Sequence, residues 1–429
     1  MHELSQMIKD DMKPALGVTE PGAIAFAVAK ARSFTKGDIK KVNVAMNSGM
    51  YKNAFTCGIP NSNEVGNMFA AALGVVAGNA DKGLESLADV TPEDNVKAQE
   101  MIDQGKVTVE LSGITSRIFI EATVETEEDK AIVTIRDSHT NITKIIVNDK
   151  VELETEDEKK TEEDGGEEES HSIHKYTLQQ LYDYVTTVDI EEIRFINEAY
   201  KVNLELFHEG LENPGTTFAR QLLAINNGKE VSDDEQKTAS LMCNAAIEAR
   251  VIGLDKPAMS ITGSGAHGII ATMPLYAAYK VNGYTEEQLL RATALSYLVC
   301  MYIKEYSGRL SAFCGCAIAA GSGMACALVY LRGGTVEMMA HTLNNMASSI
   351  TGMICDGGNQ GCTMKGVAAV DAAYKSVEFA MNGIYISEVH GINGNTPEET
   401  MRNMGLIASP GMVGTEKTIV EIFEDKLKK

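Results

Sequence analysis

The fold class is decided by residues 106–147, which read KVTVELSGITSRIFIEATVETEEDKAIVTIRDSHTNITKIIV. Four segments of this stretch alternate apolar and polar residues and are rich in β-branched side chains, a pattern typical of half-buried strands. These segments are Lys106–Leu111, Arg117–Val124, Ala131–Arg136 and Ile142–Val147. Because they follow one another closely, we predict that they pair in chain order as an antiparallel meander.

The residues before this stretch add one strand and three helices. Lys41–Met46 alternates in the same way and predicts a further strand. Helical spacing of apolar residues, together with helix-start residues such as Thr19 and Thr91, predicts the helices. They are Pro21–Phe34, Asn63–Gly78 and Thr91–Gln104. We expect the first two helices to pack on the sheet, because a half-buried sheet needs an apolar cover.

An acidic run follows the last predicted strand. Residues 152–169 hold eleven acidic residues and two lysines, so they carry −9 of the formal net charge of −22. The run has almost no apolar side chains whose burial could offset the entropy of ordering it. We therefore predict an α+β part with an antiparallel sheet over residues 1–151, an acidic linker or loop over 152–170 and a helical part over 171–429.

The helical part is predicted from eight segments with helical periodicity and few strand-like stretches between them. The segments are Tyr176–Val185, Ile190–Phe207, Asp233–Val251, Thr285–Tyr306, Ser311–Leu331, Thr335–Ser349, Lys365–Met381 and Thr396–Ile407. A small sheet-containing part followed by a mostly helical part makes the chain an α+β protein.

Composition excludes several classes of protein. Of the 429 residues, 44% are hydrophobic and 23% are charged, which is ordinary for a globular chain. The 38 basic residues are outnumbered by 60 acidic ones, so the basic footprint needed for nucleic acid or for an anionic membrane surface is missing. No apolar run is long enough to cross a bilayer, and no signal core follows Met1. We expect a cytoplasmic protein that binds neither nucleic acid nor membrane.

A glycine-rich segment is the first candidate binding site. Residues 260–268 read SITGSGAHG and precede apolar residues that would open a helix. Backbone N–H groups in such a loop can converge on an anion, and the helix N-terminus adds its dipole. The segment lacks the lysine of a nucleotide-binding P-loop, so a small carboxylate fits it as well as a phosphate. The alternative is a glycine-rich turn that only allows helices to pack closely.

Cysteines provide the second candidate site. Five of the eight lie between residues 314 and 362, and Cys355 and Cys362 flank a loop of Asp, Gly, Gly, Asn, Gln and Gly. Soft thiolates select iron–sulfur clusters, zinc or Cu(I). Zinc is the weaker choice because paired CxxC and matched His spacings are missing. A cluster held by three thiolates would leave one iron open as a Lewis acid. The alternative is a set of buried free cysteines that act as small apolar residues.

Five motifs occurring together and in order give the chain a family resemblance. They are ALGVTEP at 15–21, SHTNI at 138–142, GSGAHGI at 263–269, RLSAFC at 309–314 and SITGMICDG at 349–357. With these motifs the chain resembles the iron–sulfur L-cysteine desulfidase family, whose members are also called serine-dehydratase-like proteins. The resemblance covers nearly the whole chain.

The resemblance implies an amino-acid lyase that uses a [4Fe–4S] cluster and no pyridoxal. Family members convert L-cysteine to pyruvate, ammonia and sulfide, and the related iron–sulfur L-serine dehydratases eliminate water from serine. The helical part would then correspond to the mostly helical alpha domain of those dehydratases. The implied partner is a small amino-acid substrate, and a homodimer is compatible with this assignment.

The resemblance also implies site residues. Cys314, Cys355 and Cys362 would bind the cluster, and Cys314 is preferred over Cys316 because the Arg309–Ala312 segment fixes the register. The substrate carboxylate would be held by the glycine-rich loop and its neighbours, namely Thr19, Ser264, Gly265, Ala266, His267 and Gly268.

One position departs from the family pattern and leaves the base open. Family desulfidases carry a cysteine where this chain has Val18, and valine can neither act as a base nor bind iron. The candidate catalytic residues are then Glu20, His139, His267 and Lys365. Each also has a plainer interpretation: a helix cap for Glu20, structural hydrogen bonding for the histidines and charge balance for Lys365. The alternative function is a cluster- or metal-binding protein that has kept the fold without the chemistry.

Overall fold

The structure is a computed structural model that describes residues 1–115, 117–155, 173–308 and 310–428. Its eight strands form two sheets. The strands are β1 Lys13–Leu16, β2 Ile39–Asn47, β3 Val107–Gly113, β4 Phe119–Thr126, β5 Lys130–Arg136, β6 Ile142–Val147, β7 Lys150–Glu154 and β8 Pro257–Ser260. All five strands predicted in the first part are present, within three residues of their expected ends. Together with the helices described below, they confirm the α+β class.

The predicted pairing in chain order is wrong at one place. The large sheet has the order β3-β2-β4-β5-β6-β7, so β2 lies between β3 and β4. Strand β2 pairs parallel with β3 and antiparallel with β4, with Val44 opposite Val109 on one side and Ala122 on the other. The remaining pairs are antiparallel, as expected. Val42, Val44 and Met46 of β2 are fully buried, as expected of a strand in the middle of a sheet.

Five helices belong to the first part of the chain. They are α1 Glu3–Asp11, α2 Thr19–Arg32, α3 Ser48–Ala54, α4 Asn67–Ala77 and α5 Pro92–Asp103. Helices α2 and α4 pack on each other and on the sheet, as predicted. Alanine and glycine allow a close approach, because a Cβ at Gly74 would lie 2.8 Å from the Ala25 backbone. Helix α5 begins at a complete capping box made by Thr91 and Asp94.

Twelve helices are found in the described residues after position 172. They are α6 Leu178–Thr187, α7 Ile190–Ile193, α8 Asn197–Glu212, α9 Phe218–Ile225, α10 Glu235–Val251, α11 Gly265–Asn282, α12 Glu286–Ser307, α13 Gly321–Leu331, α14 Val336–Ile350, α15 Gly361–Met381, α16 Pro397–Leu406 and α17 Val413–Leu427. Helix α10 lies at the centre, packed against α8, α9, α11 and α15. A π-helical turn at Cys316–Ala320 leads into α13, where the sequence predicted one continuous helix from Ser311.

The two parts of the chain share one hydrophobic core. Strand β1 pairs antiparallel with β8, with Ala15 opposite Ala258, and the C-terminal helix α17 packs on α3. Strand β7 continues to Glu154, beyond the expected end of the first part at Val151. Residues 156–170 of the predicted acidic linker lie outside the described residues. No helix in the described part of the chain is both long and apolar enough to cross a membrane.

Candidate functional site

A small cavity of about 80 Å³ lies where the two parts of the chain meet. It collects five residues predicted from the sequence: Glu20, His139, Ser264, His267 and Cys355. The other residues that line it are Asn53, Thr262, Gly263, Lys304, Leu310, Ser311, Phe313, Gly315 and Cys316. Larger grooves exist elsewhere, but this cavity brings carboxylate, imidazole, ammonium and thiol groups together, which is typical of an active site.

Glu20 is a buried, ionised carboxylate in the first turn of α2. Its Oε1 accepts a hydrogen bond from Asn53 Nδ2 at 2.9 Å and lies 3.7 Å from His139 Nε2. Burial alone would raise the pKa of Glu20, but the proximity and charge of His139, with help from Asn53 and Arg250, bring it to about 2. A carboxylate with so low a pKa is a weak base, so Glu20 is better suited to orienting Asn53 and His139.

His139 lies in the connection between β5 and β6 and reaches the cavity from the sheet side. The residue is only 9% exposed, and its Nε2 is buried without a hydrogen-bond partner in the described structure. A polar group of a ligand that enters the cavity can supply the hydrogen bond that this nitrogen lacks.

His267 lies in the first turn of α11 with a defined tautomer. Its Nδ1 is 2.5 Å from Thr262 Oγ1, which donates its own proton to the Ile261 carbonyl at 2.7 Å. Nδ1 must therefore carry the ring proton, and Nε2 keeps a lone pair on the side of Gly315. Burial, then the charges of Lys304 and Arg250, lower the pKa of His267 to about 3. The imidazole is neutral at physiological pH.

Thr262 holds this arrangement in a strained backbone conformation. Its φ of 52° is in the left-handed region, which β-branched residues rarely adopt. The Thr262 N–H donates to the Asp11 carboxylate at 2.5 Å, which ties the loop to α1. Strain of this kind persists where neighbouring bonds enforce it, and it is commonly found at functional sites.

The glycine-rich loop divides between the cavity and the packing behind it. Gly263, Ser264 and His267 line the cavity, whereas Gly265, Ala266 and Gly268 are not among its lining residues. A Cβ at Gly268 would lie 1.8 Å from the Met259 carbonyl oxygen, so this glycine is required for α11 to pack on β8. The packing interpretation therefore applies to Gly268, and the binding role of the loop stays a prediction.

Cys314 and Cys355 belong to two facing segments. Phe313 and Ile354 form an antiparallel bridge, within which the Cys314 N–H donates to the Met353 carbonyl at 3.0 Å. The Cys355 N–H donates to the Ala312 carbonyl at 2.6 Å. The two cysteines are thus diagonal neighbours on one face of the bridge, and such neighbours are about 7 Å apart in antiparallel pairs.

Cys362 completes the set in the first turn of α15. Its Sγ donates to the Gly357 carbonyl at 3.4 Å. Burial and then the charge of Cys355 raise the pKa of Cys362 to about 11, and burial is also the main cause that raises the pKa of Cys355. A hydrogen bond with Cys316 is the main cause that raises the pKa of Cys314. The three candidate ligands therefore affect one another electrostatically and bind protons when no metal is present.

Three lysines supply positive charge around these thiols. Lys52 and Lys365 oppose the rise in the pKa of Cys355, and Lys304 reaches the cavity itself. Lys365 is paired with the Asp356 carboxylate. Burial lowers the pKa of Lys365, but the pairing outweighs burial and raises that pKa above its ordinary value. A lysine held protonated is a poor base, and Lys365 does not line the cavity.

The three thiols are not placed as a single-ion site. Within the described ranges, no three His, Cys, Asp or Glu side chains are placed to hold one metal ion. A tetrahedral zinc site needs its sulfurs within about 4 Å of one another, since each Zn–S bond is about 2.3 Å. By donor chemistry, the thiolates of Cys314, Cys355 and Cys362 are of the soft kind that iron–sulfur clusters select.

Val18 lies beside the loop between Cys355 and Cys362. It is buried immediately before α2, and a Cβ at Gly358 would lie 2.9 Å from its Cγ1. The position at which the family pattern has a cysteine therefore contacts the loop between Cys355 and Cys362.

Sequence reasoning missed Asn53, Thr262 and Lys304. Asn53 lies just before the C-terminus of α3, a short helix that the sequence did not predict. Lys304 is in the last turn of α12 and is buried, with its Nζ donating to the Gly308 carbonyl at 2.8 Å. A lysine at that place in a helix resembles a normal C-terminal charge. Thr262 lies inside the glycine-rich segment, where its positive φ cannot be recognised from residue type.

Comparisons with known proteins agree with the resemblance. A family model described as the serine dehydratase alpha chain matches residues 81–421. A UPF0597 protein of Clostridium botulinum is 41% identical over 424 residues, which are 98% of each chain. A UPF0597 protein of Caldanaerobacter subterraneus is 37% identical over 99% of this chain and 98% of its own, and one of Bacteroides fragilis is 34% identical with the same coverage.

Proposed function

Because the chain belongs to the serine dehydratase alpha chain family, we propose that it is a pyridoxal-independent, [4Fe–4S]-dependent lyase. Its substrate would be L-cysteine or L-serine, from which it eliminates sulfide or water to give pyruvate and ammonia. The observation that carries this proposal is the convergence of His139, His267 and Cys355 on one cavity between the two parts of the chain.

Cys314, Cys355 and Cys362 would hold the cluster. When bound, it would supply an open iron that acts as a Lewis acid on the β-hydroxyl or thiol of the substrate. The lysines around the thiols favour their deprotonated form, which thiolate ligation requires.

His267 is the better placed of the candidate bases. Its Nε2 has a lone pair, and the hydrogen bond from Nδ1 to Thr262 fixes the ring. The low pKa of His267 limits its basicity, but a bound anion nearby would raise that pKa. His139 lines the same cavity, with its Nε2 3.7 Å from the Glu20 carboxylate. Together they could remove the α-proton and carry it toward the leaving group.

Anaerobic purification tests the proposal. We expect a coloured protein with about four irons per chain that releases pyruvate from L-cysteine or L-serine. Cys355→Ser should lose both cluster and activity, whereas Cys326→Ser should keep both, because Cys326 is an isolated buried thiol in α13. Full cluster content in Cys355→Ser would show that the ligands are wrongly assigned. Colourless, iron-free protein after reconstitution would contradict the cluster.

A second candidate function rests on Val18. An apolar side chain against the cluster loop would suit a cluster-binding protein that does not turn over. A stable cluster without turnover on a panel of β-substituted amino acids would favour this alternative. Appearance of pyruvate formation in Val18→Cys would then identify the missing group.

A further inference from the structure

The turn over residues 261–264 has an unusual residue at its first central position. Ile261 and Ser264 form an antiparallel bridge, and the two residues between them, Thr262 and Gly263, have φ of 52° and 76°. A two-residue turn with positive φ at both centres favours asparagine or aspartate before glycine, because a β-branched residue is strained there. The turn itself therefore does not explain the threonine. Its hydroxyl does, because it contacts His267 Nδ1.

Asp11 is held against this turn by the pairing of β1 with β8. The register places Lys13 opposite Ser260, and Ser260 Oγ donates to the Lys13 carbonyl at 2.6 Å. When this register is continued past the strand ends, Asp11 comes to lie opposite Thr262. The Thr262 N–H donates to Asp11 Oδ2 at 2.5 Å. Because the acceptor is a carboxylate, this bond is stronger than one to a neutral group and can maintain a strained turn.

The carboxylate of Asp11 is unfavourable for its own helix. Asp11 is the last residue of α1, where the helix dipole presents its negative end. The helix is fixed to the rest of the chain by other contacts. Leu4 and Ile8 are fully buried, and Ser5 Oγ donates to Glu192 at 2.7 Å. The carboxylate therefore stabilises the turn rather than α1.

Thr262 connects Asp11 to the candidate active site. Asp11 does not line the cavity, whereas Thr262 does. Both residues also line a groove of about 740 Å³ between α1 and α12, so Thr262 lies on the wall that the groove and the cavity share. Burial is the main cause that lowers the pKa of His267, and the negative charge of Asp11 opposes it. Asp11 is therefore near enough to influence the imidazole without touching the cavity.

We propose that Asp11 is a positioning residue for His267. Its carboxylate holds Thr262 in the left-handed conformation, and Thr262 Oγ1 accepts the proton of Nδ1 while it donates to the Ile261 carbonyl. The Nε2 lone pair then stays on the side of Gly315. The hydrogen bonds of an imidazole decide which nitrogen carries the proton, so the tautomer is no longer fixed when Thr262 relaxes. The consequence for turnover rests on the proposed function, whereas the effect on the ring does not.

The test observes the tautomer of His267 directly. In anaerobically purified protein that contains ¹⁵N-labelled histidine, NMR distinguishes a ring nitrogen that carries a proton from one that does not. His267→Gln identifies the signal among the eight histidines. The variants are Asp11→Ala, Asp11→Asn and Thr262→Val, and kcat and KM are measured for each. Asp10→Ala is the control, because Asp10 is an exposed carboxylate that accepts from Gln6 at 2.8 Å and lines the same groove.

We expect the proton to stay on Nδ1 in wild type, Asp10→Ala and Asp11→Asn, because an amide oxygen still accepts the Thr262 N–H. In Asp11→Ala and Thr262→Val the ring should exchange between tautomers. Their kcat should fall about 10- to 100-fold while KM stays within about threefold of wild type, since misplacement of a reacting group lowers turnover more than binding. Recovery of both the tautomer and kcat in Asp11→Asn distinguishes positioning from a loss of structure.

Amide hydrogen exchange in wild type is a second measurement, and it needs no variant. The Thr262 N–H should exchange at least about 100-fold more slowly than in a free peptide, because Asp11 accepts its hydrogen bond. Free exchange of this N–H would overturn the inference. Asp11→Ala with the proton still on Nδ1 and with wild-type kcat would also overturn it.

Failure of the proposed function is distinguishable from failure of this inference. If the tautomer depends on Asp11 in a protein that forms no pyruvate, the positioning role stands and the lyase does not. If pyruvate is formed and the tautomer does not depend on Asp11, the lyase stands and the positioning role does not.

Discussion

Replacement of His267 tests whether its imidazole is neutral and shielded from water. Burial and nearby cations lower its pKa from 6.5 to about 3. The unfolded chain therefore binds a proton at this residue below pH 6.5, and the folded chain does not. The stabilisation is complete above pH 6.5 and is lost progressively as the pH falls toward 3.

The size of the effect follows from the two pKa values. Between pH 7 and pH 5, His267 alone should remove about 2 kcal/mol from the free energy of unfolding, since one pKa unit corresponds to about 1.4 kcal/mol. His267→Gln cannot take up this proton. Whatever the variant costs at pH 7, its stability should therefore fall less steeply with decreasing pH.

Urea unfolding at several pH values between 5 and 7 measures the difference. We expect the difference in free energy of unfolding between wild type and His267→Gln to shrink by about 2 kcal/mol from pH 7 to pH 5. His208→Gln is the control for loss of a histidine, because His208 is an exposed side chain that does not line the cavity. If the difference between wild type and His267→Gln stays constant within about 0.5 kcal/mol over this pH range, the imidazole of His267 is not held neutral by burial.

Two further predictions follow from packing and charge. A Cβ on Gly315 would lie 2.7 Å from His267 Nε2, so Gly315→Ala should displace the ring and lower turnover about 10- to 100-fold. Steady-state rates measure this loss. Gly352→Ala is the control, because a Cβ on Gly352 would meet nothing within 4 Å. Lys52 and Glu416 form a fully buried ion pair at 2.8 Å, so Lys52→Met should lower the free energy of unfolding by about 3–5 kcal/mol. In urea unfolding, the double variant Lys52→Met/Glu416→Leu should recover more than half of that loss. If the double variant and Lys52→Met lose the same free energy of unfolding, an uncompensated charge is not the cause.

Local patterns located five of the eight strands and most of the longer helices, but not the order of the strands in the sheet. Strands β1, β7 and β8 and helices α1, α3 and α17 were not predicted. Period-two alternation located β3 to β6 because each strand has one buried face. The position of β2 depends on a pairing with β3 across about 60 residues, and chain order carries no record of it. Helix α9 and the π-helical turn were also missed. The first is short, and the second differs from an α-helix only in its hydrogen bonds.

The site divides in a similar way. Residues with distinctive chemistry in a motif, such as Cys355 and His267, could be found in the sequence because few other roles suit them there. Lys304 and Arg250 could not, because a cation near the C-terminal end of a helix is normally solvated. Only the packing of neighbouring elements shows that both are buried, and burial is what makes their charge useful to a ligand.

Net charge is a poor guide to such a site. The chain carries −22 overall, yet Lys304 lines the cavity, and Lys52 and Arg250 are buried close to it. Solvent-exposed acids further than about 8 Å away are largely screened at physiological salt, whereas buried cations are screened much less. The potential felt by a small anion is therefore set by the few groups that the two parts of the chain bring together. Because α2 and α3 come from one part and α10 to α12 from the other, the pairing of β1 with β8 is as necessary for the site as any residue in it. A variant that weakens this pairing should reduce ligand binding before it unfolds either part.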